Sequence, residues 1–414
     1  MPLVETSNPT SFGRGVNKTV CLAQETTFGV QAAGPGQLLR RVSCMFNVNA
    51  PLIPSNEIVP SMQIRDSRQG PRQLSGTFSG QLAPGAYSLF LQALMRATYM
   101  SPTTSGVNPL TDLTAASQQG GSAAALTSNS SNFRTMGFNI GDVVRLSGLG
   151  STAYAADDNM PLIVQSIGTN GAQMIVSVQS GFVFFGTAQS AKISGVKKLI
   201  MPQTGVVQPS FTIEEWYNDV GVSDLSLGCT VTQMQIQMPA RGFCTFSASF
   251  TGQNQVESSA QVYTAPTAPS TATSLMMLGG QVLYNGVIIA YMSNATLSIS
   301  SPTQADPAIG SNIVPAVFLG NISVTGSFTT LMANDTMTND FLAENEVSLL
   351  FLLATSQSAY AGFVTLQMPR CKLGAATKQD SQTAITRSFN FQALENITVA
   401  DADDSTLIIN DSGA

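Results

Sequence analysis

The chain of 414 residues is 43% hydrophobic and only 10% charged, so its length predicts two or three domains and its surface is built from Ser, Thr, Asn, Gln and Gly, a palette of β-rich structural proteins rather than of ordinary enzymes. A net charge of -6 without a long basic tract excludes a protein that grips nucleic acid by neutralising phosphates. With no histidine, the commonest general base, triad partner and transition-metal ligand are missing together, and an enzyme is not expected.

The opening residues, "MPLVETSNPTSFGRG", lack a basic stretch followed by an apolar run, so no secretory leader is expected. An extended arm leads to "SNEIVP" at 55–60 and to "RDSRQGPR" at 65–72, the densest basic stretch, which the flanking strands place at a hairpin tip. There Arg65, Arg68 and Arg72 suit contact with an acidic neighbouring subunit better than contact with phosphate. In "LSGTFSG" at 74–80, Leu74, Gly76, Phe78 and Gly80 alternate with polar residues, the period of a half-buried strand. A helix is predicted over 86–99, where Leu89, Leu91, Leu94 and Met95 stand near helical spacing. Together, residues 1–100 read as the first part of a β unit.

The Gly/Ser/Ala/Asn-rich segment that follows, within 101–129, reads as a flexible loop. Residues 130–201, with "FNIGDVVRLSG", "MPLIVQSIG" and "AQMIVSVQSG", read as a small barrel-like domain inserted into the unit. The unit resumes over 202–262 with the strand "SFTIEEWY", in which Glu214 and Glu215 form the most visible carboxylate pair. Adjacent strand residues face opposite ways, so the pair cannot share a site and reads as solvated strand charge. "MQIQMP" at 234–239 and "CTFSASF" at 244–250 close the unit, and "YTAPTAPSTATS" at 263–274 reads as a linker.

A second unit is read over 275–400, because four segments return in order. "SNIVP" at 311–315, "VTGSFTT" at 324–330, "VTLQMP" at 364–369 and "ITRSFNF" at 385–391 echo their counterparts. On this matching Val364, Leu366 and Met368 answer Met234, Ile236 and Met238, and the second hairpin, between Pro315 and Gly326, reads as shorter than the first. The longest apolar run, "VSLLFLLA" at 347–354, is too short to span a bilayer, so no membrane insertion is expected. "DADD" at 401–404 lacks the spaced ligands and turn glycine of a calcium loop, and 401–414 reads as a solvated acidic tail. The cysteines, Cys21, Cys44, Cys229, Cys244 and Cys371, are odd in number and widely spaced, and read as buried thiols. No catalytic, cofactor or metal site is expected.

The stretch "SNEIVPSMQIRDSRQGPRQLSGTFSGQLAPGAYSLFLQALM" at 55–95, with "GFNIGDVVRLSG" at 137–148, resembles the tail tube proteins of long-tailed bacteriophages. The resemblance implies a mainly β fold: two tandem tube-type β-sandwich or barrel domains, each with a flanking helix, plus the inserted β domain. It implies a structural virion protein, assembled in the host cytoplasm, whose stacked rings form the conduit for double-stranded DNA. Implied partners are further copies of the chain, a tape-measure protein, a tail terminator and DNA in transit. Arg65, Asp66, Arg68 and Arg72 would then stack one ring on the next. Two tube domains per chain make a homotrimeric ring with pseudo-sixfold symmetry the expectation, with a polar, net negative lumen and the inserted domain pointing outward, dispensable for assembly. The alternative is an adhesin or fibre module binding host glycans through the insertion.

Overall fold

The computed structural model describes residues 12–106, 108–149, 153–154, 157–379 and 384–414. The first eleven residues, over which no leader is expected, lie outside the described residues. The alternation at 74–80 forms the strand Gln73–Gln81, whose burial alternates residue by residue. Its apolar side meets Phe46 and Phe250 from the strands on either side, with ring centroids 5.4 Å apart. The helix Ser88–Met95 lies beneath, buried through Phe90, Leu91, Ala93, Leu94 and Met95, and ends on Arg96 in a left-handed conformation.

Eight strands hydrogen-bond side by side into one antiparallel sheet. In order they are Ser43–Asn49, Gln73–Gln81, Thr245–Gly252, the second half of Val222–Pro239, Met292–Ser300, Ser323–Leu331, Thr386–Ala393 and the second half of Phe363–Gln379. The first four belong to the first unit and the last four to the second. The two long strands bend at bulges, Val231/Gln233 and Leu373/Ala375, and pass into the second layer of each sandwich. There the first half of Val222–Pro239 pairs with Phe211–Tyr217 and Asn254–Ser258, and that of Phe363–Gln379 with Glu346–Ala354 and Ile408–Asp411. One apolar core runs through both units.

Register shows which echoes are equivalences. Ser79 faces Ser247, and Thr329 faces Ser388, so Leu74, Gly76 and Phe78 correspond to Val324, Gly326 and Phe328. The "QMP" echo is a mismatch: Met234–Pro239 lies past the bend of its strand and Val364–Pro369 before it, and the true counterpart of Gln235 is Thr377. The hairpins are also alike rather than long and short. Ile53 pairs with Arg68 in the first and Gln304 with Phe318 in the second, at matching distances from the strands.

The inserted body is a closed six-stranded barrel, in the order Leu162–Ile167, Gln173–Ser177, Ala123–Thr127, Leu110–Gln118, Phe185–Gly195, Val143–Ser147. It therefore includes the segment read from sequence as a flexible loop. Of the alanines that suggest low complexity, Ala115 and Ala124 lie in the barrel core, small enough for a narrow interior, while Ala123 and Ala125 are buried outside that core. Val143 and Ile163 pack outside the barrel on Leu283, Leu350, Leu352 and Phe363 of the second unit. Residues 407–411 are buried too, and Ile408–Asp411 bridges Lys197–Ile200 and the long strand Phe363–Gln379. Lys198 binds both Asp142 and Asp403, at 3.0 and 2.9 Å. Burial alone would lower its pKa, but the two carboxylates outweigh it and hold the ammonium above its usual range. The expected solvated tail is thus a staple joining barrel and second unit. Glu214 and Glu215 are likewise buried rather than solvated: Glu214 accepts from Ser223 Oγ and the backbone N–H groups of Val262 and Tyr263, and Glu215 pairs with Lys18.

Candidate functional site

The junction between the units is built from two alternating segments. Met234, Ile236 and Met238 interleave with Gln233, Gln235 and Gln237, while Ala295, Leu297 and Ile299 interleave with Asn294, Thr296 and Ser298. Paired antiparallel, with Gln233 opposite Ser300 and Pro239 opposite Asn294, they send every apolar residue into the common core and every polar one to the other face. The pattern in Met292–Ser300 is a legible strand signal that the sequence reading passed over.

That other face is predominantly polar across all eight strands. It presents Ser43, Met45 and Asn47, then Gln73, Ser75, Thr77 and Ser79, then Thr245, Ser247 and Ser249, and continues in kind. Hydroxyls link neighbouring strands, as in Ser43 with Ser79 at 2.6 Å, Thr296 with Ser327 at 2.9 Å and Thr329 with Ser388 at 2.8 Å. Lys372, opposite Gln392, donates its ammonium to Glu344 O at 2.6 Å, and the eight strands bring no carboxylate to this face. The negative charge expected of a channel wall is therefore not on this sheet.

The sheet ends in two edges that, among the described residues, pair on one side only: Ser43–Asn49 and the Ala375–Gln379 end of the last strand. By register these are the counterparts of Asn294–Ser300 and Gln233–Gln237, the two sides of the internal seam.

Of the hairpin residues singled out by sequence, Arg65, Asp66 and Arg68 are exposed. Asp66 turns back to accept the N–H of Ser67 at 2.8 Å, and Arg68 sits in the short strand Ser67–Gln69. Arg72 stands apart from them, at the foot of the first hairpin, where its Nη1 donates to Asn254 Oδ1 at 3.2 Å and its backbone N–H to Asn312 O at 2.8 Å. Among the described residues no group of three or more His, Cys, Asp or Glu could hold a metal ion.

A paired-sandwich chain with a seam, two matching edges and a polar face is built for lateral joining. The family model described as phage tail tube protein matches residues 15–393. The chain belongs to the phage tail tube protein family. No curated protein matches it. As a tail tube protein it is a structural component of the virion tail that self-assembles into a tube, and its two units are consecutive in one sheet.

Proposed function

We propose that three copies close into a pseudo-sixfold ring and that stacked rings form the conduit for double-stranded DNA ejection. The observation that carries this is the seam. The chain contains one complete junction between units and, at its ends, free edges equivalent to that junction's two sides. The seam register, transferred to those edges, sets Ala375, Thr377 and Gln379 of one copy opposite Asn49, Asn47 and Met45 of the next. Each unit then has an equivalent neighbour on either side, and the unpaired edges vanish.

The polar face lines the bore in this reading. Seryl, threonyl, asparaginyl and glutaminyl groups offer DNA almost no cations, so counterion release gives little affinity and the duplex slides. The barrel, on the opposite layer, points outward. The exposed stretch with Arg65, Asp66 and Arg68 contacts the adjacent ring, while Arg72 is committed to Asn254 and Asn312 of its own chain. A tape-measure protein and a terminator meet the tube along its bore and at its end, after assembly in the host cytoplasm.

Oxidation of an Asn47→Cys/Thr377→Cys variant tests the ring. The native cysteines are all buried, and burial pushes Cys21, Cys244 and Cys371 up to about 12, so the background is low. Covalent species ending at three chains are expected, and a closed series ending at six contradicts the trimer.

A further inference from the structure

The two hairpins have the same build but unequal surroundings. The second, 301–322, is seated on the first unit: Val314 is 1% exposed, and its carbonyl accepts Gln253 Nε2 at 3.0 Å. At the foot of that hairpin Arg96 donates to Ser301 Oγ at 2.8 Å and to Gly320 O at 2.5 Å. The first hairpin, 50–72, has nothing equivalent beneath it. Ile64, the counterpart of Val314, is 73% exposed, and Leu52, Ile53, Ile58 and Met62 are exposed with it. So many large apolar side chains on one protruding segment mark a contact surface.

We propose that the first hairpin of one copy docks on the second unit of the next copy in the same ring, with Ile64 filling the place that Val314 fills within the chain. This rests on the ring reading and specifies a second contact beside the paired edges. The landing site differs from its internal template at the residue that follows the helix. Where the first unit has Arg96 just beyond its helix, the second has Glu344 just beyond the helix Thr336–Leu342, each with φ of 55°. The second hairpin meets Arg96 through Ser301 Oγ and Gly320 O; in the first, with Arg72 held by its own chain, Arg65 and Arg68 balance Glu57 and Asp66, so its contact rests on the exposed apolar residues. Leu342, exposed beside Glu344, supplies apolar surface to receive the hairpin. Arg72, tied to Asn254 and Asn312 of its own chain, fixes the base from which the hairpin reaches out.

The test introduces Ile64→Asp into the Asn47→Cys/Thr377→Cys chain, with Ile64→Leu as control. Ile64 is exposed, so the thermal midpoint of the unassembled chain should not change. Ile64→Asp is expected to raise the concentration needed for covalent trimers by about tenfold or more, the mark of a lost interface anchor, while Ile64→Leu cross-links normally. Unchanged trimer cross-linking in Ile64→Asp overturns the proposal and leaves the ring intact, and if stacking alone is then lost the hairpin acts between rings. Absence of cross-links in the parent chain contradicts the ring reading, and this proposal with it.

Discussion

Gly76 and Gly326 show what the repeated strand needs from individual residues. A Cβ on Gly76 would stand 2.1 Å from a ring carbon of Phe46, and one on Gly326 would stand 2.4 Å from Phe391. In each unit an aromatic side chain lies over the glycine, closing the core where the sheet is tightest. Gly76→Ala should therefore destabilise the chain by about 1–3 kcal/mol, as overpacking does. In a Phe46→Ala background most of that penalty should disappear, which a double-mutant cycle in denaturant measures. Asp411 makes a second residue-level case. Burial pushes its carboxyl up to about 6, against the N–H groups of Gly413 and Gly85 that favour the charged form. A raised folded pKa means that its stabilising contribution is present below about pH 4 and is lost as pH rises through about 6. Asp411→Asn, which keeps an acceptor for both N–H groups, should be more stable than the parent by about 1–3 kcal/mol at pH 8. The two chains should converge near pH 4, and equal stabilities at pH 8 would show that the buried carboxylate costs nothing.

Among elements, those read correctly from sequence are the ones whose pattern one face controls. The strand at 74–80 and the helix through Leu91, Leu94 and Met95 are half-buried, so periodicity reports them directly. The Ala-rich barrel strands were illegible because small residues in a narrow interior look like low complexity. The final strand Ile408–Asp411 was hidden by the acidic run before it, whose Asp403 is neutralised by Lys198, more than two hundred residues away. The seam was missed for another reason: nothing in Met234–Pro239 says which strand will lie beside it. At this scale the hairpin supplies a prediction. Arg65→Glu/Arg68→Glu should leave a folded chain and closed rings but shorten or abolish tubes in electron micrographs. Normal tubes would exclude those residues from stacking.

At the scale of the molecule, insertion and host unit are one construction. The barrel interrupts the first unit but rests on the second, through Val143, Ile163 and the ion pairs of Lys198. Its dispensability, expected from sequence, does not follow, because replacing 108–195 by a short linker would bare Leu350, Leu352 and Phe363. That deletion should lower the thermal midpoint of the unassembled chain, whereas an unchanged midpoint would show that the barrel only decorates it. The bore makes a further claim: Ser247→Lys/Ser298→Lys tubes should retain DNA in a salt-dependent way, and parent tubes should not. The central claim is that both units of each chain line one wall, and cryo-microscopy of the assembled tube tests it most directly. Discs of three chains are expected, each contributing its eight-strand sheet to a continuous barrel, with Ser43–Asn49 paired to Ala375–Gln379 of the neighbour. Discs of six chains, with only the first unit of each at the bore, would contradict it.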